Sequence, residues 1–131
     1  SDVYKRQQNA LNAIQKDRLI DITTIGRRSG KSYRKEVLLR QLDGQPYLSH
    51  TAGPRDWAAN LLANPNFTYH LKESINLDLP ARATEINDID QKRIIIKSLL
   101  EKEVSEPLVE NALGQIDARV TGSHLFHVEI L

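Results

Sequence analysis

Six short runs of strand-forming residues punctuate the chain, and no helix-length segment separates the first three, which restricts the fold to a largely antiparallel sheet. Leu19-Ile20-Asp21-Ile22-Thr23-Thr24-Ile25 is a β-branched run closed by Gly26. A second strand is expected from Tyr33 to Leu42, with Val37, Leu38 and Leu39 as its buried part. It returns through Asp43-Gly44, a hairpin turn pair, into a third strand from Pro46 to Thr51. Phe67 to Leu71 resumes strand character. After a turn at Lys72-Glu73-Ser74, the run Ile75-Asn76-Leu77-Asp78-Leu79 alternates apolar and polar residues as a half-buried strand does, and continues past Pro80 towards Ile86. Leu125 to Leu131 alternates again and closes the series.

Helical signals are fewer. Ala52-Gly53-Pro54-Arg55-Asp56 opens a helix to about Ala63, with Pro54 expected in the first turn, where its missing N–H has no partner to lose. Asn64-Pro65-Asn66 stops it. Asn87 or Asp88 caps a helix from about Ile89 to Glu103 that gathers Ile89, Ile95, Ile96, Leu99 and Leu100 on one side. Gln8 through Arg18 has the spacing of a short amphipathic helix, and Pro107 to Gln115 reads as another. Strands without regular βαβ alternation predict an α+β architecture, an antiparallel barrel with three to four flanking helices. No repeat or linker divides the 131 residues. Residues 19–131 are therefore expected to form one domain, preceded by a partly helical segment at 1–18.

Composition narrows the chemistry. The chain has no cysteine, which removes thiol nucleophiles, thiolate-bound metals and dithiol exchange, so any redox reaction needs a borrowed cofactor. Net charge is only +1, and aromatic residues near the basic loop are few, so nucleic-acid binding is not expected. The apolar runs are far shorter than the ~20 residues that span a bilayer, and a soluble, cytoplasmic protein is expected. His124 and His127 are expected on opposite faces of the last strand, with His70 distant in sequence, so no metal site is expected. Ser49 beside His50 is no triad, because adjacency does not supply the geometry of nucleophile and base.

The most pointed segment is Gly26-Arg27-Arg28-Ser29-Gly30-Lys31-Ser32. It falls one residue short of a nucleotide-triphosphate P-loop and leads into a strand where a P-loop leads into a helix. Five cations (Arg27, Arg28, Lys31, Arg34 and Lys35) lie within nine residues, and Gly26 and Gly30 let backbone amides approach a ligand. Arginine gives bidentate donors and lysine a mobile point charge, a set suited to a flexible tail bearing several anions. A solvated turn fits the same residues. Downstream, Trp57 and Asn60 share a helical face, offering a stacking surface and a donor–acceptor pair to a flat ring. They also suit a helix anchored in the core.

Three ordered stretches, Thr23 to Lys31, Asp43-Gly44 and Trp57-Ala58-Ala59-Asn60-Leu61-Leu62-Ala63-Asn64-Pro65, resemble the deazaflavin-dependent nitroreductase family, and the likeness runs from about Leu19 to Ile86. The resemblance implies a split β-barrel related to the flavin mononucleotide-binding oxidases, and use of coenzyme F-420, an 8-hydroxy-5-deazaflavin with a phospholactyl-polyglutamate tail. By position, Arg27, Arg28, Lys31 and Arg34, with Ser29 and Gly30 in the same loop, would hold the tail. Trp57 and Asn60 would lie beside the ring. The implied activity is hydride transfer from the reduced deazaflavin to a small-molecule acceptor such as a quinone, enone or nitro compound, with His50 or bulk water as proton source. Related barrels imply a homodimer. The sequence departs from the family at an additional residue between Gly30 and Arg34, at a shorter segment from Ser49 to Gly53, and in having no tyrosine after Asp88. Acceptor identity is therefore not carried over. The alternatives are the same barrel binding flavin mononucleotide, or a non-enzymatic carrier of fatty acid or haem.

Overall fold

The structure, a computed structural model, describes Lys5, residues 18–73, 75–103 and 114–131. Six strands form a closed barrel: β1 (Arg18–Ile25), β2 (Ser32–Leu42), β3 (Gln45–Leu48), β4 (Asn66–Leu71), β5 (Leu77–Glu85) and β6 (Phe126–Ile130). The order around the barrel is β1-β2-β3-β6-β5-β4, with β4 pairing back onto β1, and every pairing is antiparallel. Three helices are described: α1 (Asp56–Ala63) between β3 and β4, then α2 (Ile89–Glu103) and α3 (Ile116–Gly122) between β5 and β6.

The expected alternation decides which residues fill the barrel. Ile20, Ile22 and Thr24 of β1 face inward and are buried, as are Leu39, Leu48, Phe67, Tyr69, Ala81, Ala83, Phe126 and Val128 on the other strands. Trp57, Ala58 and Leu61 bring one face of α1 into the same core. A second apolar layer lies between α2, α3 and the sheet, built from Ile95, Ile96, Leu99, Leu100, Ile116, Val120 and Leu125, with Leu42, Tyr47 and Ile86 packed against it. Arg40, on the opposite face of β2 from Leu39, is buried beneath α2 and donates to the Leu99 carbonyl at 3.1 Å.

Turn chemistry fixes the first hairpin. Asp43 at φ 52° and Gly44 at φ 78° both occupy the left-handed region, the geometry whose twist matches paired strands. Asp88 caps α2 by accepting the Gln91 N–H at 2.8 Å. Lys92 joins the two later helices, its Nζ donating to the carbonyls of Val120 and Ser123 at 2.6 Å each, and burial lowers its pKa.

Several expectations need correction. Pro54 does not sit in the first turn of α1, which begins at Asp56 with Arg55 as its cap. The third strand ends at Leu48, three residues short of the expected Thr51, because β6 pairs only with Tyr47 and Leu48. Ile89 is 64% exposed, so the buried stripe of α2 starts at Ile95. Helix α3 was not expected: its Thr121 and Gly122 weaken intrinsic helicity, and burial of Ile116 and Val120 one turn apart compensates. The helix expected over residues 8–18 lies outside the described residues apart from Arg18, which opens β1, and the helix expected over 107–115 lies outside them apart from Gly114 and Gln115.

The turn gives a direct test. Gly44→Ala places a Cβ at positive φ and is expected to cost about 1 kcal/mol of stability in a urea titration, with no change in slope.

Candidate functional site

Strand β2 runs well past β3. β1 pairs with it from Ser32 to Leu39, whereas β3 pairs with it only from Leu39 to Leu42. The inward-facing residues before Leu39, namely Tyr33, Lys35 and Val37, therefore stand beside β1 with no β3 across from them. Tyr33 pairs with Thr24, Lys35 with Ile22 and Val37 with Ile20. A cleft of about 470 Å³ opens over this uncovered stretch. Thr24 and Gly26, the loop residues Arg27, Arg28 and Ser29, Tyr33, Arg34 and Lys35 on β2, and Asp56, Trp57 and Asn60 on α1 line it.

The loop is bound to the helix through one amide. The Oδ1 of Asn60 accepts the Arg27 backbone N–H at 3.1 Å and Arg27 Nη1 at 2.9 Å, while its Nδ2 donates to Thr24 Oγ1 at 3.2 Å. Asn60 and Thr24 are both buried. Arg27 also reaches Asp56 at 3.4 Å. The loop closes on itself through Gly26 N–H to the Lys31 carbonyl at 2.7 Å and Gly30 N–H to the Gly26 carbonyl at 3.0 Å.

The expected cations divide by what already holds them. Arg27 is engaged by Asn60 and Asp56. Arg34 donates through Nε to Asp21 at 2.9 Å, and Lys72 bridges Asp21 and Glu36. The hydrogen bond from Lys72, then that from Arg34, holds the Asp21 carboxyl below its ordinary value. Among the described residues, Arg28, Lys31 and Lys35 make no side-chain hydrogen bond or ion pair, and Arg28 and Lys35 line the cleft. Gly30 and Lys31 complete the loop outside the lining.

Trp57 lines the cleft but is only 8% exposed, wedged edge-on to His50 at 5.5 Å and tilted against Phe126 at 6.2 Å. His50 lies outside the lining. Its Nδ1–H donates to the Thr51 carbonyl at 2.7 Å, and its Nε2 accepts the His124 N–H at 3.0 Å. Both ring nitrogens are thus hydrogen-bonded to backbone groups, and His50 does not face the cleft lining. Burial, opposed by the Thr51 hydrogen bond and reinforced by Arg55, His124 and Lys92, lowers the His50 pKa. His124 precedes β6 and is not part of the strand alternation; it pairs with Glu85 at 2.8 Å, while His127 bonds Gln45 and packs on Tyr47. No group of three or more potential metal ligands assembles among the described residues.

No family model matches the chain, and no curated protein matches it. Solved structures do match. A conserved hypothetical protein from Mycobacterium tuberculosis superposes with a TM-score of 0.65 at 14% identity, over 95% of this chain and 79% of that one. A Clostridium acetobutylicum protein related to general stress protein 26, of the pyridoxinephosphate oxidase family, gives 0.62 at 16% identity, over 99% and 85%. An F-420-H2 dependent reductase gives 0.55 at 21% identity, over 85% and 93%. The fold is a split β-barrel. In this split barrel, Tyr33 and Lys35 join the lining beside Thr24 and Asp56; Lys35 is one of the five cations read from the sequence, whereas Tyr33, Thr24 and Asp56 were not expected there. The signal for the first two was present: a loop closed between Ile25 and Ser32 forces Tyr33 opposite Thr24 and Lys35 opposite Ile22.

Two outcomes follow. Asn60→Ala strands the buried Thr24 hydroxyl and frees the loop, and is expected to cost about 2 kcal/mol in denaturant unfolding. The lowered His50 pKa means the unfolded chain binds the proton first. Its contribution to stability is complete above the ordinary imidazole value of 6.5 and is lost as pH falls below that through the folded pKa. His50→Gln is expected to flatten this acid-side loss in melting curves recorded across that range.

Proposed function

We propose that the chain is an oxidoreductase that binds a flavin-type coenzyme in the cleft beside the basic loop, with a deazaflavin of the F-420 kind as hydride donor to a quinone, enone or nitro-type acceptor. The observation that carries this reading is the cleft itself. Its volume suits a ring system of that size, and its lining brings the uncommitted cations Arg28 and Lys35 together with Thr24, Tyr33 and Trp57. The residue likeness from Thr23 to Pro65 and the fold shared with an F-420-H2 dependent reductase support the deazaflavin.

Bound in its reduced form, such a coenzyme would supply a hydride to a conjugated acceptor, with a proton from water completing the charge balance. The chain's own residues bind and orient. Arg28 and Lys35 attract the anionic portion, and Lys31 adds charge just outside the lining. Arg27, held by Asn60 and Asp56, fixes the loop's position against α1 and thereby the distance between anion grip and cleft interior. No nucleophile is required, in keeping with a chain that lacks cysteine. His50, with both nitrogens occupied, supports the packing of Trp57.

A second reading has its own support. With Arg27 and Arg34 already paired, the two uncommitted cations in the lining match one phosphate, as in flavin mononucleotide, and the likeness to a pyridoxinephosphate oxidase family fold points the same way. Parallel titrations separate the two. The deazaflavin coenzyme is expected to bind more tightly than flavin mononucleotide, and the reverse order replaces the first reading by the second. Arg28→Gln with Lys35→Gln is expected to weaken binding about tenfold and to flatten its dependence on salt.

A further inference from the structure

Two aromatic side chains line the cleft, and they differ in what they can offer. Trp57 is 8% exposed, with its indole occupied by His50 and Phe126. Tyr33 is 49% exposed. It stands on the stretch of β2 that β3 leaves uncovered, directly opposite the buried Thr24 of β1. Its side chain is nevertheless held at the hydroxyl and along one ring edge. The hydroxyl meets Ser29 Oγ at 3.0 Å, and Ser29 Oγ in turn accepts the Lys31 N–H at 3.2 Å. The ring edge lies so close to Gly26 that a Cβ there would fall 2.5 Å from Tyr33 Cε2 and 2.7 Å from Ser29 Oγ.

A large, half-exposed aromatic that is fixed by a hydroxyl bond and a glycine contact loses little freedom when a ligand covers it, the usual condition for an efficient contact surface. We infer that Tyr33, and not Trp57, is the aromatic surface against which the planar ring of the bound coenzyme rests, and that Gly26 and Ser29 are the residues that position it. Trp57 is a core anchor that borders the cleft. This assignment rests on the coenzyme reading above. It gives the loop a second role beside its charge: the same six-residue turn, from Gly26 to Lys31, that presents Arg28 to the anion also braces the tyrosine against the ring.

The test separates ring from tail. The probes are the whole deazaflavin coenzyme and the same deazaflavin stripped of its phosphate-containing tail, with binding followed by the change in deazaflavin fluorescence. Tyr33→Leu is expected to weaken the tail-free ring about tenfold, as loss of one stacked aromatic does, while Tyr33→Phe, which keeps the aromatic face but gives up the Ser29 bond, falls between it and the starting chain. Gly26→Ala, which forces the tyrosine aside, is expected to weaken the tail-free ring as Tyr33→Leu does. Arg28→Gln with Lys35→Gln should leave the tail-free ring unchanged and weaken only the whole coenzyme. Unaltered affinity of Tyr33→Leu for the tail-free ring, with the whole coenzyme still bound by the starting chain, overturns the tyrosine assignment and leaves the coenzyme reading intact. No binding of either probe by the starting chain overturns both.

Discussion

The unequal lengths of two neighbouring strands govern the rest of the molecule. β2 has 11 residues and β3 has four, so their antiparallel ladder ends at Leu39 while β2 continues along β1 towards the basic loop. The barrel is left open at this seam. Side chains that would otherwise enter the core emerge into a cleft. The inward alternation does not change along β2; only its cover does, which is why Leu39 is fully buried and Tyr33 half-exposed on the same face.

Across the seam, the decisive contacts are polar and few. Asn60 accepts twice from Arg27 and donates once to Thr24, tying the loop, the first strand and α1 together at one buried amide. Burial removes the competing water, so each bond is worth more than its exposed equivalent, and an orphaned partner costs more than the bond gains. The tie also partitions the charges. Arg27 and Arg34 are engaged by Asn60, Asp56 and Asp21, whereas Arg28, Lys31 and Lys35 remain outside any pair among the described residues. A cluster that reads in sequence as five equivalent cations is, once folded, two structural arginines and three uncommitted charges.

Much of the sheet was legible in advance because strand alternation and turn chemistry are local. The β-branched run before Gly26, the Asp43-Gly44 turn and the alternation through Leu77, Leu79 and Ala81 each carry their own signal, and the Asp88 cap does the same for α2. The failures lie where long-range contacts override local preference. The early end of β3 depends on where β6 arrives, and α3 exists because Ile116 and Val120 find an apolar layer that nothing nearby in sequence announces.

The same division holds at the site. Sequence alone determined that a glycine-bracketed basic loop precedes a strand, and that a helix carrying Trp57 and Asn60 follows the third strand, since motif order and residue chemistry are properties of the chain. Only tertiary structure decided their roles. Trp57 and His50 became packing partners, Asn60 became a tether, and Tyr33 and Lys35 entered the cleft, because burial and partner choice are set by which strands cover which, a relation that joins residues far apart in sequence.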